Sequence, residues 1–288
     1  APGHGLDSQH QMGDPSQQLP TTSRMNTPIE ALARWRDRTL TRGQMLRELI
    51  SYEYWWLPQR SNSGVKAFSR FTLAAAELFP SAEGGQSLFL FSDLDIRESF
   101  EATHAGSGGM NFLNAMGWEV FSAELGEVQA VVIDPGSPHE LVIGPAEFPE
   151  WKALADAVDI EQVWKRLQTG SEDEDDMSRA AHYPAYQLVV AKGEQGNFIF
   201  CDVANDDGQG YVALFTHADA LALGRGEIEE NFLLRDPRVA LVSGAEIFPT
   251  LADEPSAGIV LNFNGPTEPM VFAHGVLDLL CAELASPS

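Results

Sequence analysis

In several stretches of the chain, apolar positions recur every three to four residues, and this spacing predicts helices. Ile29, Leu32 and Trp35 recur at helical spacing behind a threonine and a proline that suit the start of a helix. The same spacing over 45–50 predicts a second helix from residue 41 to 51, and 148–158 predicts an amphipathic helix. An apolar run from about 275 to 284 predicts a helix near the end of the chain.

Short apolar runs bounded by turn residues predict strands. They lie at 52–58, 87–91, 117–121, 130–133, 140–143, 186–191, 197–203, 211–215, 238–242, 258–263 and 269–272. Many of these strands follow one another through short turns, with helices interspersed. This order predicts an α+β fold of mainly antiparallel sheet packed with helices, rather than a doubly wound parallel sheet.

The order of motifs in the first half of the chain recurs in the second half. The run 88–93 (LFLFSD) has its counterpart at 212–217 (VALFTH), and 130–136 (AVVIDPG) has its counterpart at 258–265 (GIVLNFNG). The two motifs are separated by 41 positions in the first half (91 to 132) and by 45 in the second (215 to 260). The repeat predicts two similar mixed α/β units in tandem.

Several short segments together define a recognisable unit. They are LFSD at 90–93, LFTH at 214–217, IDPGS at 133–137 and WWLP at 55–58. Taken in their order along the chain, these segments resemble the bacterial SseB-type N-terminal domain family. The resemblance covers roughly 46–158 and, more weakly, 183–284, where NFNG replaces the DPGS turn. The resemblance implies two tandem SseB-like copies, no established catalytic residues, and an association with secretion or toxin systems.

Composition divides the chain into four segments. Residues 1–24 are polar and lack the features of a secretory signal, so they are interpreted as an expression leader before Met25 or as a disordered tail. Residues 25–170 form the first predicted domain, and 183–288 form the second. The acidic run within 171–182 is expected to stay solvated as a linker, because like charges at this density repel one another.

The charge is strongly acidic, with 42 Asp and Glu against 18 Lys and Arg, for a net charge of −24. From residue 171 onward there are 20 acids and 5 bases. This balance disfavours direct binding to nucleic acid and favours a basic protein partner, with solubility as the simpler explanation. No apolar stretch approaches the ~18 residues of a membrane span, so no membrane association is predicted.

The search for catalytic, metal and cofactor motifs yields no candidate site. Cys201 and Cys281 lie in apolar runs and are predicted to be unpaired, buried and inert, which suits a cytoplasmic protein. A thiol triad of Cys201, His217 and Asp219 is the weaker interpretation. The histidines lack metal-ligand spacing, and the glycine run at 106–109 lacks the lysine of a phosphate loop.

These observations predict a non-enzymatic protein-binding protein with an adaptor, immunity or regulatory role. The partner is expected to be basic and to meet an acidic face, whereas one of the two adjacent tryptophans is a candidate interface anchor if it is exposed. The candidate residues are Asp206, Asp207, Asp253, Glu254, Trp55 and Trp56. A hydrolase or transferase with an unrecognised carboxylate or cysteine site, and a self-assembling structural protein, are the alternatives.

Overall fold

The computed structural model describes residues 27–60, 71–81, 84–104, 109–170, 174–192, 198–204, 208–232 and 237–286. These residues form an α+β protein of helices and mostly antiparallel sheets, arranged as two similar units in tandem, which confirms the predicted fold class. The leader at 1–24, the start of the acidic run at 171–173 and most of the glycine run at 106–109 lie outside the described residues.

The first unit begins with two helices and continues into strands. Its elements are α1 (Pro28–Arg36), α2 (Arg42–Ile50), β1 (Trp55–Pro58), β2 (Leu78–Pro80), β3 (Gln86–Leu90), α3 (Leu94–His104), β4 (Phe112–Ala115), α4 (Gly117–Ser122), β5 (Val128–Ile133) and β6 (Leu141–Ile143). Thr27 begins α1 with a capping box, in which its hydroxyl accepts from the Glu30 amide and the Glu30 carboxylate accepts from the Thr27 amide. The predicted helix start is therefore confirmed.

The long helix α5 (Phe148–Gln168) leads into the second unit, which repeats the order of the first. Its elements are α6 (Glu174–His182), β7 (Tyr186–Lys192), β8 (Phe198–Phe200), β9 (Asp202–Ala204), β10 (Gly210–Leu214), α7 (Ala218–Phe232), β11 (Arg238–Val242), α8 (Gly244–Ala252), β12 (Gly258–Leu261), β13 (Met270–Ala273) and α9 (Gly275–Ala285).

The sheets of the two units have matching strand orders. The larger sheets are β2-β3-β5-β6 and β9-β10-β12-β13, and in each the two central strands are parallel whereas the outer pairings are antiparallel. The smaller sheets pair β1 with β4 and β7 with β11, with β8 on the other side of β7. A bridge between Trp56 and Phe91, and one between Gln187 and Phe215, joins the smaller to the larger sheet in each unit.

One glycine in each unit permits a close helix approach at the same place. A Cβ on Gly117, the first residue of α4, would collide with the carbonyl oxygen of Ile50 at the end of α2. A Cβ on Gly244, the first residue of α8, would collide in the same way with the carbonyl oxygen of Ala181 in α6. Both glycines are therefore required by backbone proximity and mark the units as structurally equivalent.

Helix α5 belongs to the cores of both units. Trp151, Leu154 and Val158 from its first half are buried in the core of the first unit. Ile160, Val163 and Trp164 from its second half are buried in the core of the second unit. The helix extends ten residues beyond the predicted end at residue 158 because its apolar stripe continues against a different set of partners.

Two predictions about local structure are wrong. Residues 117–121, expected as a strand, form helix α4, because Val120 and Phe121 are adjacent yet both buried, and the Phe121 ring packs 4.5 Å from the Trp151 ring of α5. The expected acidic linker is helical from residue 174 to 182. Asp176 is fully buried there because its carboxylate accepts two hydrogen bonds from Arg166 of α5, at 2.8 and 2.5 Å.

Candidate functional site

The second unit carries a group of carboxylates where α8 ends. Asp253 caps the C-terminus of α8, Glu254 follows it, and both side chains are exposed. Asp202 of β9 faces Glu254, since burial and then the charge of Glu254 raise the pKa of Asp202. Asp278, in the first turn of α9, and Asp253 both lie close enough to Cys281 for their charges to raise the pKa of its thiol, after burial. We call Asp202, Asp253, Glu254 and Asp278 the acidic end.

A cleft of about 240 Å³ opens between two of these carboxylates. Its apolar lining comes from Ile199, Phe200, Val212 and Pro255, and its polar lining from Asp202, Glu254 and Ser256. Ile199 is about half exposed (51%), although it lies in a strand. Such a cleft suits a lysine or arginine side chain, whose aliphatic stem packs on apolar surface while its charged head stays near carboxylates.

A buried ion network joins the two units. Arg47 of α2 donates from Nη1 to Glu161 Oε2 of α5 at 2.6 Å, and from Nε and Nη2 to the carboxylate of Asp219 at 2.6 and 2.9 Å. The Arg47 and Glu161 side chains are only 6% and 4% exposed. Because Asp219 lies in the first turn of α7, this network holds α2 of the first unit against the second unit.

The network shifts the pKa of Asp219 and the pKa of Arg47. Burial alone would raise the pKa of Asp219, but the hydrogen bonds from His217 and Arg47, together with their charges, hold it well below its usual range. Burial alone would lower the pKa of Arg47, yet its bonds to Asp219 and its attraction to Glu161 raise it. Asp219 and Arg47 therefore stay ionised at neutral pH, and the network acts as a structural junction.

Each unit also buries a polar side chain at the first residue of one turn, which follows β5 in the first unit and β12 in the second. Asp134 accepts from the Ser92 amide at 2.7 Å and from the Ser92 hydroxyl at 2.6 Å. Asn262 accepts from the Thr216 amide at 3.0 Å and donates from Nδ2 to Glu161 Oε1 at 2.9 Å. Burial raises the pKa of Asp134, although its bonds to Ser92 oppose the shift.

The six residues that were predicted to bind a partner have different outcomes in the structure. Trp55 as an interface anchor is wrong, because it is fully buried and its Nε1 donates to the Leu49 carbonyl at 3.1 Å. Trp56 is half-buried beneath the Arg97 guanidinium, 4.7 Å from the ring centroid. Asp253 and Glu254 belong to the acidic end, whereas Asp206 and Asp207 lie outside the described residues.

The geometry does not support a thiol triad of Cys201, His217 and Asp219. Both cysteines are free, as predicted; Cys201 is buried, whereas Cys281 is only partly buried, contrary to expectation. Burial, with the charges of Asp202 and Glu229, raises the pKa of Cys201 to about 11, so its thiol is protonated at neutral pH and is a poor nucleophile. His217 instead contacts Asp219, at 2.8 Å. Within the described ranges, His, Cys, Asp and Glu form no group of three or more suited to a metal ion.

Sequence reasoning missed Arg47 and Glu161, although a signal for both exists. Arg47 interrupts the apolar stripe of α2, and Glu161 lies between Ile160 and Val163 in the stripe of α5. A charged residue on the apolar face of a predicted helix indicates a buried pair, because an unpaired charge there is too costly to desolvate.

Comparisons with known proteins leave the family open. No protein-family model and no curated protein matches the sequence, so the resemblance to the SseB-type family stays a prediction. Among solved structures, Anabaena Tic22 (protein transport) is 10% identical, with 79% of this chain and 94% of that chain covered and a TM-score of 0.19. Tic22 from Plasmodium falciparum is 10% identical, with coverages of 69% and 82% and a TM-score of 0.17.

Proposed function

We propose that this chain is a non-enzymatic protein-binding protein, of an adaptor, immunity or regulatory kind, that engages a basic segment of a partner protein at the acidic end. The observation that carries the proposal is the cleft in which Asp202 and Glu254 flank an apolar lining. A cytoplasmic location and membership of the SseB-type family are parts of the same proposal.

The physical reason is the mutual repulsion of these carboxylates. The charge of Glu254 adds to burial in raising the pKa of Asp202, so the free protein holds two like charges in an unfavourable arrangement. A bound ammonium or guanidinium group relieves this repulsion, and Ile199 and Pro255 offer surface to its aliphatic stem. Exposed charges are screened by salt, so binding is expected to weaken as ionic strength rises.

No described helix combines the length and apolar character needed to cross a bilayer. The thiol of Cys201 is buried and stays protonated, which supports binding over thiol chemistry. The cysteine form of the hydrolase or transferase alternative is therefore disfavoured.

The test uses a fluorescent hexalysine peptide and the full chain, with affinity measured by anisotropy at low and high salt. The double variant Asp202→Asn/Glu254→Gln should bind several-fold more weakly, since each partly exposed charge contributes about 0.2–1 kcal/mol. The matched control is Glu124→Gln/Glu127→Gln, which makes the same charge change at exposed positions of the first unit. Equal weakening by both double variants would overturn the proposal and assign the effect to net charge.

A further inference from the structure

An arginine of the first unit bridges the end of its first helix and a turn at the protein surface. Arg36 is the last residue of α1, and its guanidinium reaches the turn between β5 and β6. It donates from Nη1 to the Pro138 carbonyl at 2.8 Å and from Nη2 to the Glu140 carbonyl at 3.3 Å. These two carbonyls belong to the third and the first residue before β6.

The second unit has the same arrangement without the arginine. Gln168 is the last residue of α5 and precedes α6 by the same five-residue connection that separates Arg36 from α2. Thr267 and Pro269 hold the third and first positions before β13. In the part of the chain that the structure describes, no side chain is seen to donate to their carbonyls as Arg36 does to its own pair.

A cleft of about 260 Å³ lies at this place in the second unit. Gln168, Thr267, Glu268 and Pro269 line it on the solvent side, and the nearly buried carboxylate of Glu161 lines it towards the core. Gln168 is shorter than arginine and both of its N–H donors are on one nitrogen, so it lacks the reach and the spread donors with which the guanidinium bridges two carbonyls. The first unit therefore shows which side chain the geometry accommodates.

We infer that this cleft between α5 and the β12–β13 turn binds an arginine side chain supplied by a protein partner. The carbonyls of Thr267 and Pro269 take the places of those of Pro138 and Glu140, and the exposed Glu268 carboxylate adds a charge-assisted hydrogen bond. Lys165 also lines the cleft, and its ammonium opposes the incoming cation. The inference rests on the proposed function only in that a basic partner supplies the arginine.

The experiment titrates the full chain with N-acetyl-arginine amide and, as comparison, N-acetyl-lysine amide. Chemical-shift changes of the backbone amides of Lys165, Thr267 and Glu268 report binding. The arginine probe should move these amides at several-fold lower concentration than the lysine probe, because a planar fork matches paired carbonyls and a point charge does not. Equal concentration dependence for the two probes would overturn the inference.

Three variants test the geometry. Gln168→Arg should fill the cleft from within the chain and weaken the arginine probe at least tenfold. Glu268→Gln should weaken it several-fold, and Lys165→Gln should tighten it about threefold by removing the opposing charge. An arginine probe that binds Gln168→Arg as well as the parent chain would contradict the inference.

The first unit provides a reciprocal test. Arg36→Gln should free the carbonyls of Pro138 and Glu140 and create a second arginine site, seen as new shifts at the amides of His139 and Glu140. Failure of this site to appear in a variant with the parent's far-ultraviolet circular dichroism would count against the inference. The acidic-end variant Asp202→Asn/Glu254→Gln should bind the arginine probe normally, so failure here and failure of the proposed function are distinguishable.

Discussion

The turns that follow β5 and β12 begin with two residues that differ by a single charge, Asp134 and Asn262. Asp134 and Asn262 both adopt positive φ angles, of 50° and 53°, and both are completely buried. Each donates its amide to the last residue of the neighbouring parallel strand, Leu90 or Leu214, at 2.8 Å. Each side chain also accepts from the backbone of the hydroxyl residue two positions beyond that leucine.

The difference shows that the same backbone geometry can bury either a carboxylate or a neutral amide. The first unit buries the carboxylate of Asp134 and hydrogen bonds it to Ser92, which leaves its pKa raised. The second unit has a neutral amide at this position, and Asn262 can therefore donate to the carboxylate of Glu161. Arg47 neutralises Glu161 from the first unit, so the turn of the second unit depends on its neighbour whereas the turn of the first does not.

The largest expected effect comes from removing the shared cation. Arg47→Ala leaves Glu161 and Asp219 without their buried partner and should lower the free energy of unfolding by about 3–5 kcal/mol. Arg42→Ala, one turn earlier in the same helix, breaks exposed pairs with Glu147 and Glu150 and should cost about 0–1 kcal/mol. Urea denaturation of both variants checks the contrast. Similar losses would show that the network is not the junction between the units.

The next effect comes from giving the second turn the residue of the first. Asn262→Asp places a second carboxylate beside Glu161 Oε1 and should destabilise the fold by about 2–3 kcal/mol at neutral pH. The loss should shrink as the pH falls, because protonation of either carboxyl relieves the repulsion. Asn114→Asp, on an exposed position of β4, is the control and should change stability little. Matching losses in urea for the two variants would contradict this account.

A smaller effect is expected from the hydroxyl residue of the second turn. Thr216 is buried and its hydroxyl donates to Glu161 Oε1 at 2.5 Å. Thr216→Ser keeps this hydroxyl, as in Ser92 of the first unit, and should cost only about 1 kcal/mol for the lost methyl group. Thr216→Val keeps the volume but removes the donor, and should cost more. The reverse ranking in thermal unfolding would show that packing, not the hydrogen bond, matters at this position.

The smallest effect at neutral pH, but a distinct pH profile, is expected for Asp134→Asn. Because the folded-state pKa of Asp134 is raised, its contribution to stability is greatest below the unfolded-state pKa of about 3.9 and is lost as the pH rises through the folded value. The free energy of unfolding of the parent minus that of the variant should therefore fall between pH 4 and pH 7. Urea titrations across this range measure it, and a difference that stays flat or rises would refute the assignment.

Local sequence features predicted much of the fold because they act within a few residues. The helix start at Thr27 depends on its own capping box with Glu30, and the repeat of apolar runs predicted the matching strands β3 and β10. Predictions failed where distant residues decided the outcome. Residues 174–182 are helical rather than a solvated linker because two ion pairs hold them against α5: Asp176 pairs with Arg166, and Arg179 pairs with Asp159.

The sequence by itself determined the α+β class, the tandem order of the two units and the acidic excess of the second, since periodicity, turn residues and charge can all be counted along the chain. Only the tertiary structure decided which charges are buried and paired. Arg47 meets Glu161 across 114 positions and Asp219 across 172. Desolvation and pairing depend on neighbours in space, so the local sequence pattern can mark Glu161 as a charge on an apolar face but cannot identify its partner.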